Sequence, residues 1–183
     1  MSLSNLAANP SSVLPSGAII RPEQPDDEAA VEALNALSFG PGRFAKTAYR
    51  LRRNNPPLIA CNRVCIHDCR LVGAVCFSPL RVGSAPAVLL GPLAVHPDFK
   101  NKRIGLSLML AGMRAAQEAG EALVILVGDP PYYARAGFVP VPRGQMAMPG
   151  PVDYGRLLAC ELKDGALEAA CGAVRADPRR VAG

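Results

Sequence analysis

The stretch HPDFKNKRIGLSLML, from His96 to Leu110, joins two different patterns. VLLGPLAV, Val88 to Val95, precedes it and is apolar on both sides of the alternation, as expected of a strand covered on both faces. From Ile104 the sequence IGLSLMLAGMRAAQEAG is helical in period, with Ile104, Leu108, Met109, Ala115 and Ala116 on one face and Gly120 as the stop. Lys100, Lys102 and Arg103 crowd the junction, and Gly105 follows. A helix start offers unpaired N–H groups and about half a unit of positive charge. Added cations make such a start a site for an anion, a diphosphate included. Inside the strand, Gly91-Pro92 removes a ladder donor and marks a bulge. A central strand broken there splays from its neighbour and leaves the backbone of Leu93, Ala94 and Val95 free for a ligand.

Working outward, AIIRPEQP opens with a first strand. DDEAAVEALNALSF reads as a helix capped by Asp26 or Asp27, with Ala30, Leu34 and Leu37 at helical spacing. GPGR breaks it at Gly40 to Arg43, and RFAKTAYRLRR forms a short basic helix that ends at NNPP. LIACNRVCIHDCRLVGAVCFSPLRVG alternates and predicts two antiparallel strands with a turn at Asp68 and Cys69. Beyond the long helix come a strand at Ala122 to Gly128, a one- or two-turn helix around Tyr132 to Arg135, and a strand in FVPVP. A Pro/Gly-rich loop, RGQMAMPGPVDYG, leads to a last strand in RLLACEL, and the Ala-rich segment after Leu162 carries no clear motif. The order β-α-α-β-β-β-α-β-α-β-β predicts an α/β fold: a mixed central sheet of about seven strands with a splayed central pair, flanked by helices. With no internal repeat and no dividing linker, residues 18–183 read as one domain behind a flexible N-terminal tail of residues 1–17.

The bulk properties narrow the function. The 183 residues are enough for one full core, and no apolar run approaches the roughly 20 residues of a membrane helix. The N-terminus lacks a basic leader and a long apolar stretch, so a cytoplasmic protein without a membrane partner is expected. A net charge of +5 favours anionic partners, but with only 5% aromatic residues and no interleaved basic run, nucleic acid is not expected. Among the six cysteines, Cys65, His67 and Cys69 alternate on one strand, yet no C-x-x-C pair occurs. Reduced, metal-free thiols are expected. Neither a dinucleotide nor a phosphate-loop glycine motif is present.

The pattern LLGPLAVHPDFKNKRIGLSLMLAGMRAAQEAG…LVILVGDPPYYARAGF resembles the GNAT superfamily of N-acetyltransferases, and most closely a predicted bacterial branch with GPLAV.P and LVGD…YY…GF segments. In that superfamily a [QR]-x-x-G-x-[GA] turn holds the pyrophosphate of acetyl-coenzyme A. Here the turn is Lys100-Asn101-Lys102-Arg103-Ile104-Gly105; the last glycine matches, while Lys100 and Arg103 depart. The resemblance implies acetyl-coenzyme A as co-substrate, no metal, and a cofactor site formed by Leu93, Ala94, Val95, Lys100, Asn101, Lys102, Arg103, Ile104, Gly105, Leu106 and Asp129. It implies Tyr133 as the acid for the departing thiolate and leaves Tyr132 as core packing.

No general base is obvious. His96 reads as structural, and Asp98 and Asp129 are candidates. By resemblance the acceptor, a small amine or a protein amine, enters between SFGPGRF and PRGQMAMPGPVDYG, which carry Phe39, Arg43, Phe44, Arg143, Asp153 and two methionines. The implied reaction is direct attack of a primary amine on the thioester in a ternary complex. The alternative is a catalytically weak acyl-coenzyme A-binding or regulatory module. A homodimer is left open.

Overall fold

β4, Ala85–Val95, is the strand around which the sheet is organised in the computed structural model, which describes residues 14–178. Most of the tail expected over residues 1–17 therefore lies outside the described residues. β4 is apolar throughout and buried over Ala87–Gly91, because both of its edges and both of its faces are covered in that half. Its antiparallel neighbour β3, Arg70–Val82, pairs on one edge; β5, Leu123–Val127, pairs in parallel on the other.

β1, Ala18–Pro22, and β2, Arg63–His67, continue the sheet beyond β3. On the far side β8, Leu157–Glu161, and β6, Val139–Pro140, continue it beyond β5. The hairpin turn between β2 and β3 is at Asp68 and Cys69, as the alternation predicts; both residues take positive φ, 48° and 60°.

Among the described residues the sheet has nine strands. The two beyond the expected seven are β7, Met146–Ala147, and β9, Gly172–Ala176, from segments with no periodic signal. They form because β3, at 13 residues, outruns β2: Arg70–Val75 pairs with β2, which leaves Leu80–Val82 an open edge that β9 fills. β7 then adds to β9 in parallel.

α1, Glu28–Phe39, and α3, Ile104–Glu118, supply the main helical cover. α3 buries Ile104, Leu108, Met109, Ala115 and Ala116, the predicted face, against Val75, Phe77 and Val88 of the sheet. The predicted face of α1 needs correction. Val31, Leu34 and Asn35 are buried, whereas Ala30 is exposed and Leu37 is 58% exposed. Asp27 is fixed just before the helix begins: its carboxylate accepts from the Arg21 guanidinium at 2.6 and 2.8 Å and from the Gln24 N–H at 2.8 Å. α2, Thr47–Arg52, and two short helices, α4 at Pro130–Tyr133 and α5 at Ala166–Ala169, complete the order. No helix among the described residues is long and apolar enough to cross a membrane.

Candidate active site

The break expected at Gly91-Pro92 is present in two senses. On the β3 side, Val75 pairs with Leu93 and Phe77 with Leu90, so Gly91 and Pro92 together oppose Cys76 in a bulge. On the β5 side, the parallel pairing covers only Val88–Leu89 against Val124–Ile125. Beyond it the two strands separate. Leu93, Ala94 and Val95 keep their partners on β3 and have none on β5, so that edge of their backbone is open. Ala94 turns its side chain into the α1 layer with Val31 and Leu34, which leaves only its backbone to a ligand.

At the end of β4 the chain makes a 3-10 turn, Pro97–Phe99, capped by the His96 ring, which accepts from the Asp98 N–H at 3.4 Å and lies 2.7 Å from the Arg70 guanidinium. His96 is thus engaged in the turn. α3 then starts from Arg103 with φ of 59° and no side-chain cap. A non-glycine residue in that left-handed region costs about 1–2 kcal/mol, and Arg103 occupies it where the family motif has a glycine. Asn101 is left-handed as well, φ 63°.

A cavity of about 370 Å³ faces this uncapped start, lined by Val95, Phe99, Lys100, Asn101, Arg103, Ile104, Gly105, Leu106, Tyr132 and Arg135. Among the described residues, three cations and no carboxylate line it. Lys102 is beside it, its Nζ 4.7 Å from the centre of the Phe99 ring. Gly105 has a steric reason: a Cβ built there would be 2.4 Å from the Tyr132 hydroxyl. Phe99, Tyr132 and Arg135 were not among the expected ligand-binding residues. Tyr132 packs on the core as expected, but its hydroxyl also closes the cavity. Asp129 is exposed at the start of α4, and its backbone oxygen accepts from the N–H groups of Tyr132 and Tyr133. Its side chain does not line this cavity.

A second cavity, about 130 Å³, opens where β4 and β5 part. Leu89 to Leu93 and Val127 form its strand walls, Tyr133 one side, and Phe39, Arg43, Lys46, Ala48, Tyr49 and Arg52 the other. The rings of Tyr132 and Tyr133 meet edge to face, 5.0 Å between centres, so the pair separates the two cavities. Burial pushes the Tyr133 hydroxyl up to about 12, so it holds its proton at neutral pH. Asp98 and Asp129 are both exposed and line neither cavity.

Of the two expected acceptor loops, the early one contributes Phe39 and Arg43 to this cavity, while Phe44 is 59% exposed. Arg143, Met146 and Asp153 of the late loop line a separate cavity with Tyr154. The late loop instead closes over α2, where the Thr47 hydroxyl donates to the Pro151 carbonyl at 2.6 Å. The side chains that take its place, Lys46, Tyr49 and Arg52, belong to the basic helix KTAYRLRR; its alternation of cations and an aromatic ring was the available signal.

The sequence model described as the acetyltransferase (GNAT) family matches residues 28–138. The chain belongs to this family. It is 32% identical over 123 residues to the uncharacterized N-acetyltransferase YhbS of Escherichia coli K12, covering 66% of this chain and 72% of YhbS. The crystal structure of E. coli YhbS in complex with CoA matches with a TM-score of 0.76 at 28% identity, over 90% of this chain and 92% of that one. A GNAT acetyltransferase from Brucella melitensis in complex with acetyl-CoA matches with a TM-score of 0.56 at 27% identity, over 76% of this chain and 94% of that one. This GNAT chain thus has the expected mixed sheet with the splayed central pair.

Among the described residues no group of three or more His, Cys, Asp or Glu side chains is placed to hold a metal. Cys65 is buried and Cys69 exposed on the β2–β3 hairpin, with His67 beside Asp68 and Phe99.

Proposed function

We propose that this GNAT chain is an acetyl-coenzyme A-dependent N-acetyltransferase in which a primary amine attacks the thioester directly in a ternary complex. The observation that carries the reading is the opening between β4 and β5, which leaves the backbone edge of Leu93 to Val95 unpaired between the uncapped start of α3 and the cavity lined by Tyr133. A coenzyme A pyrophosphate fits the first cavity, where the N–H groups of Ile104 to Leu106 and the cations Lys100, Arg103 and Arg135 meet it. The pantetheine arm then runs along the open edge of Val95, Ala94 and Leu93. Its amides replace the strand partner that β5 does not supply. The acetyl group lies at the bulge, with a β4 backbone N–H polarising its carbonyl.

In the reaction the amine nitrogen bonds to the acetyl carbon and the C–S bond breaks. The thiolate takes the Tyr133 proton, and the proton shed by the nitrogen restores Tyr133 through solvent. Among the described residues, no carboxylate or imidazole lines the second cavity. Arg43, Lys46 and Arg52 offset that lack, because nearby positive charge favours the neutral form of an amine. The missing base is also what favours a second reading, an acyl-coenzyme A-binding module without turnover.

The test is incubation with acetyl-coenzyme A and a panel of amines, following free thiol, alongside coenzyme binding by calorimetry. Turnover with at least one amine supports the proposal. Tight coenzyme binding with no turnover across the panel puts the binding module ahead.

A further inference from the structure

Arg52, at the end of α2, is a cation without a counter-ion. Its Nε is buried with no hydrogen-bond partner. No carboxylate pairs with it among the described residues, where the ion pairs involve Arg21, Arg43, Arg81 and the two histidines. Its guanidinium stacks on Tyr49, 5.2 Å from the ring centre, and reaches the bulge of β4: a Cβ built on Gly91 would be 3.1 Å from the Arg52 Nη2. Arg52 lines both the cavity containing Tyr133 and an adjoining one that holds Glu23, Glu28 and Glu32. Two of those acids are already engaged. Glu32 is paired with Arg43, and Glu23 accepts from the Asn62 amide at 2.8 Å.

We propose that Arg52 is the acceptor anchor, and that the acceptor is a compact amine carrying a carboxylate, which the Arg52 guanidinium binds beside the bulge where the acetyl group is held. This rests on the acetyltransfer reading above. Arg52 is half-buried, and its buried Nε forfeits hydration without a replacement partner; a carboxylate supplies one through paired N–H···O bonds in a fixed fork. Among the described residues the cavity wall has Arg43, Lys46 and Arg52 and no acid, which suits an anion and opposes a polyamine. Its volume, about 130 Å³, equals roughly four waters at about 30 Å³ each, room for a carboxylate and a short stem. Burial draws Arg52 down to about 10, which leaves it charged at neutral pH. A site built around an unpaired cation also rejects what cannot pair with it.

The experiment uses the full chain saturated with coenzyme A. A short amino acid, its amide, its decarboxylated amine and the matching aminophosphonate are titrated calorimetrically into wild type, Arg52→Gln and Arg52→Lys. Transfer is followed separately by thiol release with acetyl-coenzyme A. The expected result is that wild type binds the carboxylate at least tenfold more tightly than the amide or the amine. Arg52→Gln erases that preference, and Arg52→Lys, which keeps the charge without the fork, retains part of it. The same pattern should appear in acceptor KM.

Equal binding of all four probes, a preference that survives Arg52→Gln, or no carboxylate binding at all would overturn the proposal. Tighter binding of the phosphonate than of the carboxylate would overturn the assignment of the anion. A loss in kcat that is equal for every acceptor would move Arg52 to the acetyl group and overturn it too. Arg52-dependent carboxylate binding with no transfer to any amine would support the anchor and sink the acetyltransfer reading. Transfer without carboxylate preference would do the reverse.

Discussion

Replacing Gly105 with alanine tests how the start of α3 is built, because the structure names the atom that would resist. The new Cβ would be 2.4 Å from the Tyr132 hydroxyl, 3.5 Å from Val95 Cγ2 and 3.7 Å from Tyr132 Cζ. Only the first contact is shorter than van der Waals distance. Relief requires Tyr132 to turn, and its ring is held edge-on against Tyr133 and packed on the core. An off-rotamer side chain costs about 0.5–1.5 kcal/mol, and overpacking about 1–3 kcal/mol. Alanine returns up to about 1 kcal/mol through helix propensity. The net expectation is a loss of about 1 kcal/mol, or roughly 2–4 °C in Tm for a domain of this size. Coenzyme A affinity should fall about tenfold, because both residues line the same cavity. In Tyr132→Phe the offending oxygen is gone and the remaining contacts are ordinary. There Gly105→Ala should be neutral or slightly stabilising, a coupling of about 1–2 kcal/mol between the two sites. Thermal unfolding of the four proteins, with coenzyme A calorimetry on each, completes the cycle. Additive effects would refute the steric account of Gly105.

Tyr133→Phe removes a hydroxyl with no hydrogen-bond partner among the described residues, so it should leave Tm and coenzyme affinity unchanged while kcat falls about 100-fold, the lower end of general acid catalysis; full activity in steady-state assays would remove Tyr133 from the mechanism. Asp27 is held below the usual carboxylate range, chiefly by the Arg21 guanidinium, so its contribution is present above pH 4 and lost as pH falls. Asp27→Asn should therefore cost about 1 kcal/mol in urea unfolding at pH 7, with solvent screening allowed for, and much less near pH 3; an equal cost at both pH values would refute the ion-pair account. Burial pushes Cys65 and Cys160 up to about 11 and Cys76 up to about 12, while Cys69 and Cys171 are exposed. Alkylation of the folded protein at pH 8 should label Cys69 and Cys171 within minutes and spare those three, and metal analysis should find less than one zinc per chain; one tightly held zinc would reverse this.

What could be read from the sequence was what has a period or a forced backbone. The face of α3 and the Asp68-Cys69 turn follow from spacing and side-chain chemistry, and the broken strand follows from the missing donor of Pro92. The face of α1 was misread because Asn35 is polar and Leu37 is not, yet the helix buries the asparagine and exposes the leucine. β7 and β9 have no internal signal, since they depend on how far β3 extends beyond β2. The first cavity was legible because it is assembled from one continuous stretch, Val95 to Leu106, closed by the nearby YYAR segment. The second was only half legible. Its walls come from α1, α2, β4, β5 and α4, and no local pattern shows that the Thr47 hydroxyl draws the late loop over α2 rather than into the site.

The two tyrosines show why neighbouring residues diverge in role. Consecutive positions on a helix point about 100° apart, and α4 is a single turn started by Pro130 and Pro131, with φ fixed at both. Tyr132 is thereby directed at the start of α3 and Tyr133 at the gap between β4 and β5. Gly128 stands in for a side chain before the turn: a Cβ there would be 2.1 Å from the Tyr133 ring. One turn of helix therefore places Tyr132 in the wall of the first cavity and Tyr133 in the wall of the second. Neither tyrosine can be re-aimed without disturbing the other, since their rings share one edge-to-face contact. Under the proposed function that coupling would tie cofactor binding to the proton donor, which makes the Gly105–Tyr132 cycle informative about chemistry as well as stability. A strained Tyr132 in Gly105→Ala should displace Tyr133, so kcat should fall along with affinity, and Tyr132→Phe should restore both.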